Sequence, residues 1–119
     1  MPQFTRDEQL DHIAKADTVA FGGVGIAGTL LPATQAYFEL EEALLQHKEE
    51  LRPRLEQLLD TATPAGRIYA AELLTRIEAA AGRAAWQRLA EQDAEVTTMS
   101  GCIMGKTTLR SYAADRLRP

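Results

Sequence analysis

Residues 18–29 read TVAFGGVGIAGT, and how they are read decides the fold. Inside them, Gly23-Val24-Gly25-Ile26-Ala27-Gly28 fits G-x-G-x-x-G. That spacing serves dinucleotide binding when a strand enters the first glycine and a helix begins inside the motif, so that the helix N-terminus receives the pyrophosphate. Thr18-Val19-Ala20-Phe21 can supply a short strand. The helix is the obstacle: Pro32 falls where the crossover helix should run, and a proline there removes a backbone bond and clashes with the preceding turn. An acid ending a second strand should follow about twenty residues on. Instead Glu41, Glu42 and Glu49 sit in a helical pattern. No βαβ unit can be drawn, so the stretch reads as a loop interrupting a helical chain, its glycines permitting positive φ.

Outward from that loop, the signals are helical. Thr5-Arg6-Asp7-Glu8 is a capping box ahead of Leu10, Ile13 and Ala14, which places a first helix at about residues 6–16. Pro32 suits the first turn of a second helix whose stripe runs through Tyr37, Leu40, Leu44 and Leu51. Pro53 disfavours helical geometry at Arg52, so a break is expected there, with a third helix burying Leu55, Leu58 and Leu59. Thr63-Pro64 is an N-cap followed by a proline at the first helical position. The fourth helix is apolar over a broad arc (Ile68, Ala70, Ala71, Leu73, Leu74, Ile77), which places it centrally. Gly82 suggests a break before a fifth helix carrying Trp86 and Leu89. Glu95–Met99 is strand-like, Gly101 and Gly105 bracket a loop, and Thr107 or Thr108 can cap a last helix through Leu109, Tyr112, Ala113 and Leu117.

The expectation is one mainly α domain over residues 1–119. It has about six helices, in a HEAT-like or irregular orthogonal bundle around the fourth. A small two-stranded β-ribbon is available from residues 18–21 and 95–99. With 45% apolar and 25% charged residues, the 119-residue chain has the profile of a globular protein. Its net charge of −4 disfavours a nucleic-acid partner. The longest uncharged run, Thr18–Phe38, holds four glycines and a proline and is too polar to span a bilayer. The charged N-terminus lacks the apolar core of a signal peptide, and a cytoplasmic location is expected.

Candidate chemistry is sparse. Gly101-Cys102-Ile103-Met104-Gly105-Lys106-Thr107 approaches a P-loop, but three residues rather than four separate the first glycine from Gly-Lys. The spacing matters because the backbone N–H groups must wrap a phosphate of fixed size. Cys102, the single cysteine, excludes an internal disulfide; as a nucleophile it would need a base, and only His12 and His47 are available, far away in sequence. Neither histidine sits at metal-ligand spacing. No catalytic, cofactor-binding or metal residue is assigned, and no cofactor is expected.

Charge distribution is more suggestive. Residues 39–60 carry seven acids and three bases, net −4, while residues 101–119 are net +3. An acidic helical surface steers a basic partner, and Glu39, Glu42, Glu49 and Glu50 are the candidate protein-binding residues. Acids that merely keep exposed helices soluble are the plainer reading.

Thr63-Pro64-Ala65-Gly66-Arg67-Ile68-Tyr69-Ala70-Ala71-Glu72-Leu73-Leu74 resembles the second helix of a HEAT-like repeat, in Pro64, Arg67, Ala70, Ala71 and Leu74. The match covers one helix, with no second copy at the period an array requires. The resemblance implies protein binding on a helical surface. The expected function is therefore a non-enzymatic protein-binding module, in its most specific form a small bacterial immunity or antitoxin-type protein that neutralises a basic toxin or enzyme. One alternative is a nucleotide-binding switch or small enzyme using the Gly22–Gly28 or Ser100–Thr107 loop. Another is a self-associating structural or assembly subunit.

Overall fold

The computed structural model describes residues 2–119. Six helices run in chain order as α1 (Arg6–Ala14), α2 (Pro32–Ala43), α3 (Lys48–Thr61), α4 (Pro64–Ile77), α5 (Ala79–Leu89) and α6 (Leu109–Leu117). The fold is mainly α, as expected, and α4 is its hub: it touches α1, α2, α3 and α5 and two of the strands. The broad apolar arc explains why, since Ala65, Ile68, Tyr69, Ala70, Ala71, Leu73 and Leu74 are all buried. Around it close Leu10 and Ile13 of α1, Leu40 of α2, Leu51, Leu55 and Leu59 of α3, and Trp86 and Leu89 of α5. Each fully buried leucine is worth about 1.5–3 kcal/mol of transfer free energy.

The caps behave as their residue types dictate. Thr5 accepts from the Glu8 N–H at 3.2 Å while the Glu8 carboxylate accepts from the Thr5 N–H at 2.9 Å, the reciprocal box that starts α1. Thr63 accepts from the Gly66 N–H at 3.1 Å and starts α4. Thr108, rather than Thr107, caps α6 through the Ser111 N–H at 3.1 Å.

Two expected breaks fall elsewhere. The α2–α3 break lies at residues 44–47, where Leu44, Gln46 and His47 donate to carbonyls three residues back, and not at Arg52. Pro53 instead lies inside α3, in its second turn. Its missing N–H there forfeits the bond to the Glu49 carbonyl, and buried Leu51, Leu55 and Leu59, four apart, hold the helix through it. Gly82 likewise lies within α5. A Cβ at Gly82 would stand 2.5 Å from Thr75 Cα, so glycine serves the close approach of α5 to α4.

The sheet is larger than the expected ribbon. β1 (Thr18–Val19), β2 (Glu95–Ser100) and β3 (Ile103–Thr108) lie in that order. β1 pairs parallel with β2, Thr18 opposite Thr97, so residues 18–21 and 95–99 do meet. β2 then pairs antiparallel with β3 from Glu95↔Thr108 to Ser100↔Ile103. A two-residue turn, Gly101-Cys102, joins them. Gly101 takes φ +59° at its first position, the requirement of a type II′ hairpin turn. Among the described residues, no helix is long and apolar enough to cross a membrane.

Candidate functional site

The four acids singled out from sequence do not share one surface. Glu39 is buried, which removes it from any exposed acidic face. Its carboxylate accepts from the N–H groups of Gln3 (2.9 Å) and Phe4 (3.0 Å) and from the amides of Gln9 (3.1 Å) and Gln35 (2.7 Å), clamping the N-terminal segment onto α2. Burial opposes its charge, but these hydrogen bonds outweigh it and bring the carboxyl from 4.5 down to about 2. Glu42, Glu49 and Glu50 are exposed. Glu50 lies 3.9 Å from Arg6 Nε and 3.4 Å from His47 Nδ1. Between Glu42 and Glu49 the α2–α3 corner exposes Leu45 at 77%. Leu45, Gln46, His47, Lys48, Glu49 and Glu50 line an open hollow of about 560 Å³ at this corner.

A second site lies at the end of the sheet, where the two glycine-bearing loops singled out from sequence, Gly22–Gly28 and Ser100–Thr107, come together. After Val19 the chain leaves β2, then returns at Val24, which bridges Gly101 in parallel, with the Gly25 N–H donating to the Gly101 carbonyl at 3.0 Å. Four residues, Ala20–Gly23, separate the two contacts on this chain, against Met99 and Ser100 alone on β2, so the longer segment bows outward. Ala20 compensates within the core. Its N–H donates to the Tyr69 hydroxyl at 2.9 Å, and its carbonyl accepts from Tyr69 and from Thr34 Oγ1, each at 2.8 Å.

The bow leaves a hollow of about 460 Å³, lined by Phe21, Thr98, Ser100, Ile103, Gly105 and Tyr112 among others, with no charged side chain in its walls. Beyond Phe21 and Tyr112 lies a second hollow of about 320 Å³, where Tyr37 and Phe38 meet two ion pairs. In these, Arg76 Nε stands 2.5 Å from Glu41 and Arg116 Nε 2.6 Å from Glu72. Arg76 also donates to the Tyr37 hydroxyl at 3.1 Å, the main reason its own pKa is raised. Burial raises Tyr37. Burial, and next the Glu72 charge, push Tyr112 up to about 12 against the opposing pull of Arg116, so its hydroxyl stays protonated. The sequence placed Tyr37 and Tyr112 on core faces and left Phe21 in a strand; their convergence depends on the bow at Ala20–Gly23, which no local pattern announces.

The two phosphate-loop readings fail on geometry. No helix starts within the glycine stretch; Val24 and Thr29 exchange both backbone bonds instead, closing a tight turn, and α2 begins only at Pro32. Gly105, Lys106 and Thr107 belong to β3, paired with Thr98, Thr97 and Val96, so Ser100–Thr107 is a hairpin and not a phosphate-wrapping loop. The glycine loop lies beside the 95–105 segment, Val24 bridging Gly101. Cys102 is exposed at the hairpin tip. His12 packs on the Phe4 ring at 4.3 Å, and His47 faces Glu50. Among the described residues, no group of three His, Cys, Asp or Glu converges on a metal-sized site.

No protein-family model, curated protein or solved structure matches this chain.

Proposed function

We propose that the chain is a non-enzymatic protein-binding module whose partner contact is the α2–α3 corner. The observation that carries this is Leu45, 77% exposed in a four-residue break between exposed Glu42 and Glu49, with charged Lys48, Glu49 and Glu50 beside it in the corner hollow. An apolar anchor inside a charged rim is the anatomy of a protein interface, the anchor supplying affinity and the rim supplying steering. Many neighbouring charges on α3 are already matched within the chain, Arg52 with Glu78 at 3.2 Å and Arg54 with Asp7 at 3.0 Å. Glu42 and Glu49 have no such ion pair among the described residues, so their charge is available to a basic partner. The HEAT-like likeness of Thr63–Leu74 supports the same class. Its most specific form is an immunity or antitoxin-type inhibitor acting on a basic toxin or enzyme. The test is retention of a partner from source-cell lysate on the immobilised protein, compared with Leu45→Arg and with Glu42→Lys/Glu49→Lys. A partner held by the wild type, released by salt and lost in both variants is expected. Equal retention by all three proteins refutes the corner as the contact.

A second reading, self-association, is favoured by a separate observation. Ile26 (101% exposed), Ile103 (75%) and Met104 (64%) stand at the sheet end, on segments bridged by Val24 and Gly101. Light scattering over a concentration series, with Ile26→Ser/Met104→Ser alongside, separates this reading from the first.

A further inference from the structure

The uncharged hollow at the sheet end is built from the strand pattern itself. Side chains at Val96, Thr98 and Ser100 alternate onto one face of β2. Val96 is buried, whereas Thr98 and Ser100 run beyond it and line the hollow. Across from Thr98 stands Gly105, which has no side chain to fill the space; a Cβ there would lie 3.1 Å from Thr98 Oγ1. Ile103, opposite Ser100, and Phe21 add apolar wall. Thr98, Ser100 and Tyr112 line the hollow, and their hydroxyls make no hydrogen bond among the described residues. At about 460 Å³ the space falls in the range of small-molecule sites, which are mostly apolar with a few placed polar groups.

We propose that this hollow binds a small uncharged molecule with an apolar body and one hydrogen-bonding group. The apolar body fills the space left by Gly105 against Phe21 and Ile103. The hydrogen-bonding group meets the free hydroxyls of Thr98, Ser100 and Tyr112. A formal charge is selected against, because no charged wall residue replaces the water it loses on entry. The ion pairs in the neighbouring hollow, Arg76 with Glu41 and Arg116 with Glu72, are each already neutralised and sit beyond the Phe21–Tyr112 wall. The site is separate from the α2–α3 corner and does not depend on the partner reading.

Benzamide, benzoate and benzamidine have nearly the same shape and carry no charge, a negative and a positive charge at neutral pH. Titrating each at millimolar concentration into the full chain, with backbone amide shifts as the readout, tests the inference. Benzamide is expected to give saturable shifts at Gly22, Thr98, Ser100 and Gly105, and the two ions to bind at least about tenfold more weakly. Gly105→Val fills the hollow on a strand that tolerates valine and should abolish the shifts. Tyr112→Phe keeps the ring, removes only the hydroxyl and should weaken benzamide several-fold. Three results overturn the proposal: no saturable shift at these residues, ions binding as well as the amide, or unchanged affinity in both variants.

Discussion

The hydroxyl of Tyr69, in the middle of α4, bonds both backbone groups of Ala20, accepting its N–H at 2.9 Å and donating to its carbonyl at 2.8 Å. A side chain thus does for Ala20 what a neighbouring strand does for a residue within a sheet. That substitution lets the chain bow away from β2 without leaving buried backbone groups unpaired. Tyr69→Phe keeps the packed ring but orphans the Ala20 N–H, and should destabilise the fold by about 1–3 kcal/mol. Thr34→Val removes one of two donors to the Ala20 carbonyl and should cost less. Urea unfolding measures both; a Tyr69→Phe protein as stable as wild type would mean that Ala20 finds other partners.

Glu39 makes stability depend on acid. Its folded-state value, about 2, lies below its ordinary 4.5, so its contribution is complete above pH 4.5 and is lost as the pH falls through about 2. Protonation takes away an acceptor from four donors, the two nearest the N-terminus being the Gln3 and Phe4 N–H groups. Glu39→Gln should start less stable at neutral pH and lose less on acidification. Parallel acid curves for the two proteins, followed by tryptophan fluorescence in urea, would remove Glu39 from the account.

Much of the helical frame was legible because its signals are local. The Thr5–Glu8 box, Thr63-Pro64 and the apolar arc of α4 each state a helix start or a buried face within a few residues. β3 was not legible. Ile103–Thr108 carries a glycine in mid-strand and only two apolar residues, both exposed, so neither alternation nor hydrophobicity marks it. The one usable signal was Gly101-Cys102, a two-residue turn with glycine first. The acidic site was half legible. Composition showed acids at 39–60, but Glu39 differs from Glu42 only in facing the N-terminal segment, a contact more than thirty residues distant in sequence. The sheet-end hollow was legible only as two separate glycine-bearing loops, since Phe21, Gly105 and Tyr112 meet only in three dimensions.

Pro53 tests how far tertiary packing overrides a local breaker. It remains helical although it cannot donate to the Glu49 carbonyl. Pro53→Ala restores that donor and the helical preference, offset by about 0.4–1 kcal/mol of added freedom in the unfolded chain. A net gain of about 1–2 kcal/mol is expected, read as a higher urea midpoint with an unchanged slope. A loss on substitution would show that Pro53 has packing value beyond its backbone cost.

Gly66 poses the opposite case, a glycine in a helix where alanine should be worse. On propensity alone, Gly66→Ala gains about 1 kcal/mol. A Cβ at Gly66 would stand 2.2 Å from the Ile13 carbonyl oxygen and 3.0 Å from Ala62 Cβ. Neither neighbour is a flexible side-chain end, because Ile13 is backbone in the last turn of α1, itself tied down by the Thr63 N–H donating to the Ala14 carbonyl at 3.0 Å. The α1–α4 contact must therefore open, forfeiting burial of Leu10 and Ile13. We expect a net loss of about 1–3 kcal/mol, the usual cost of overpacking. Gly22→Ala is the control: nothing lies within 4 Å of its added carbon, and its stability should match wild type. Thermal unfolding of the three proteins decides the matter, and a Gly66→Ala protein that melts higher than wild type would show that α1 moves aside freely.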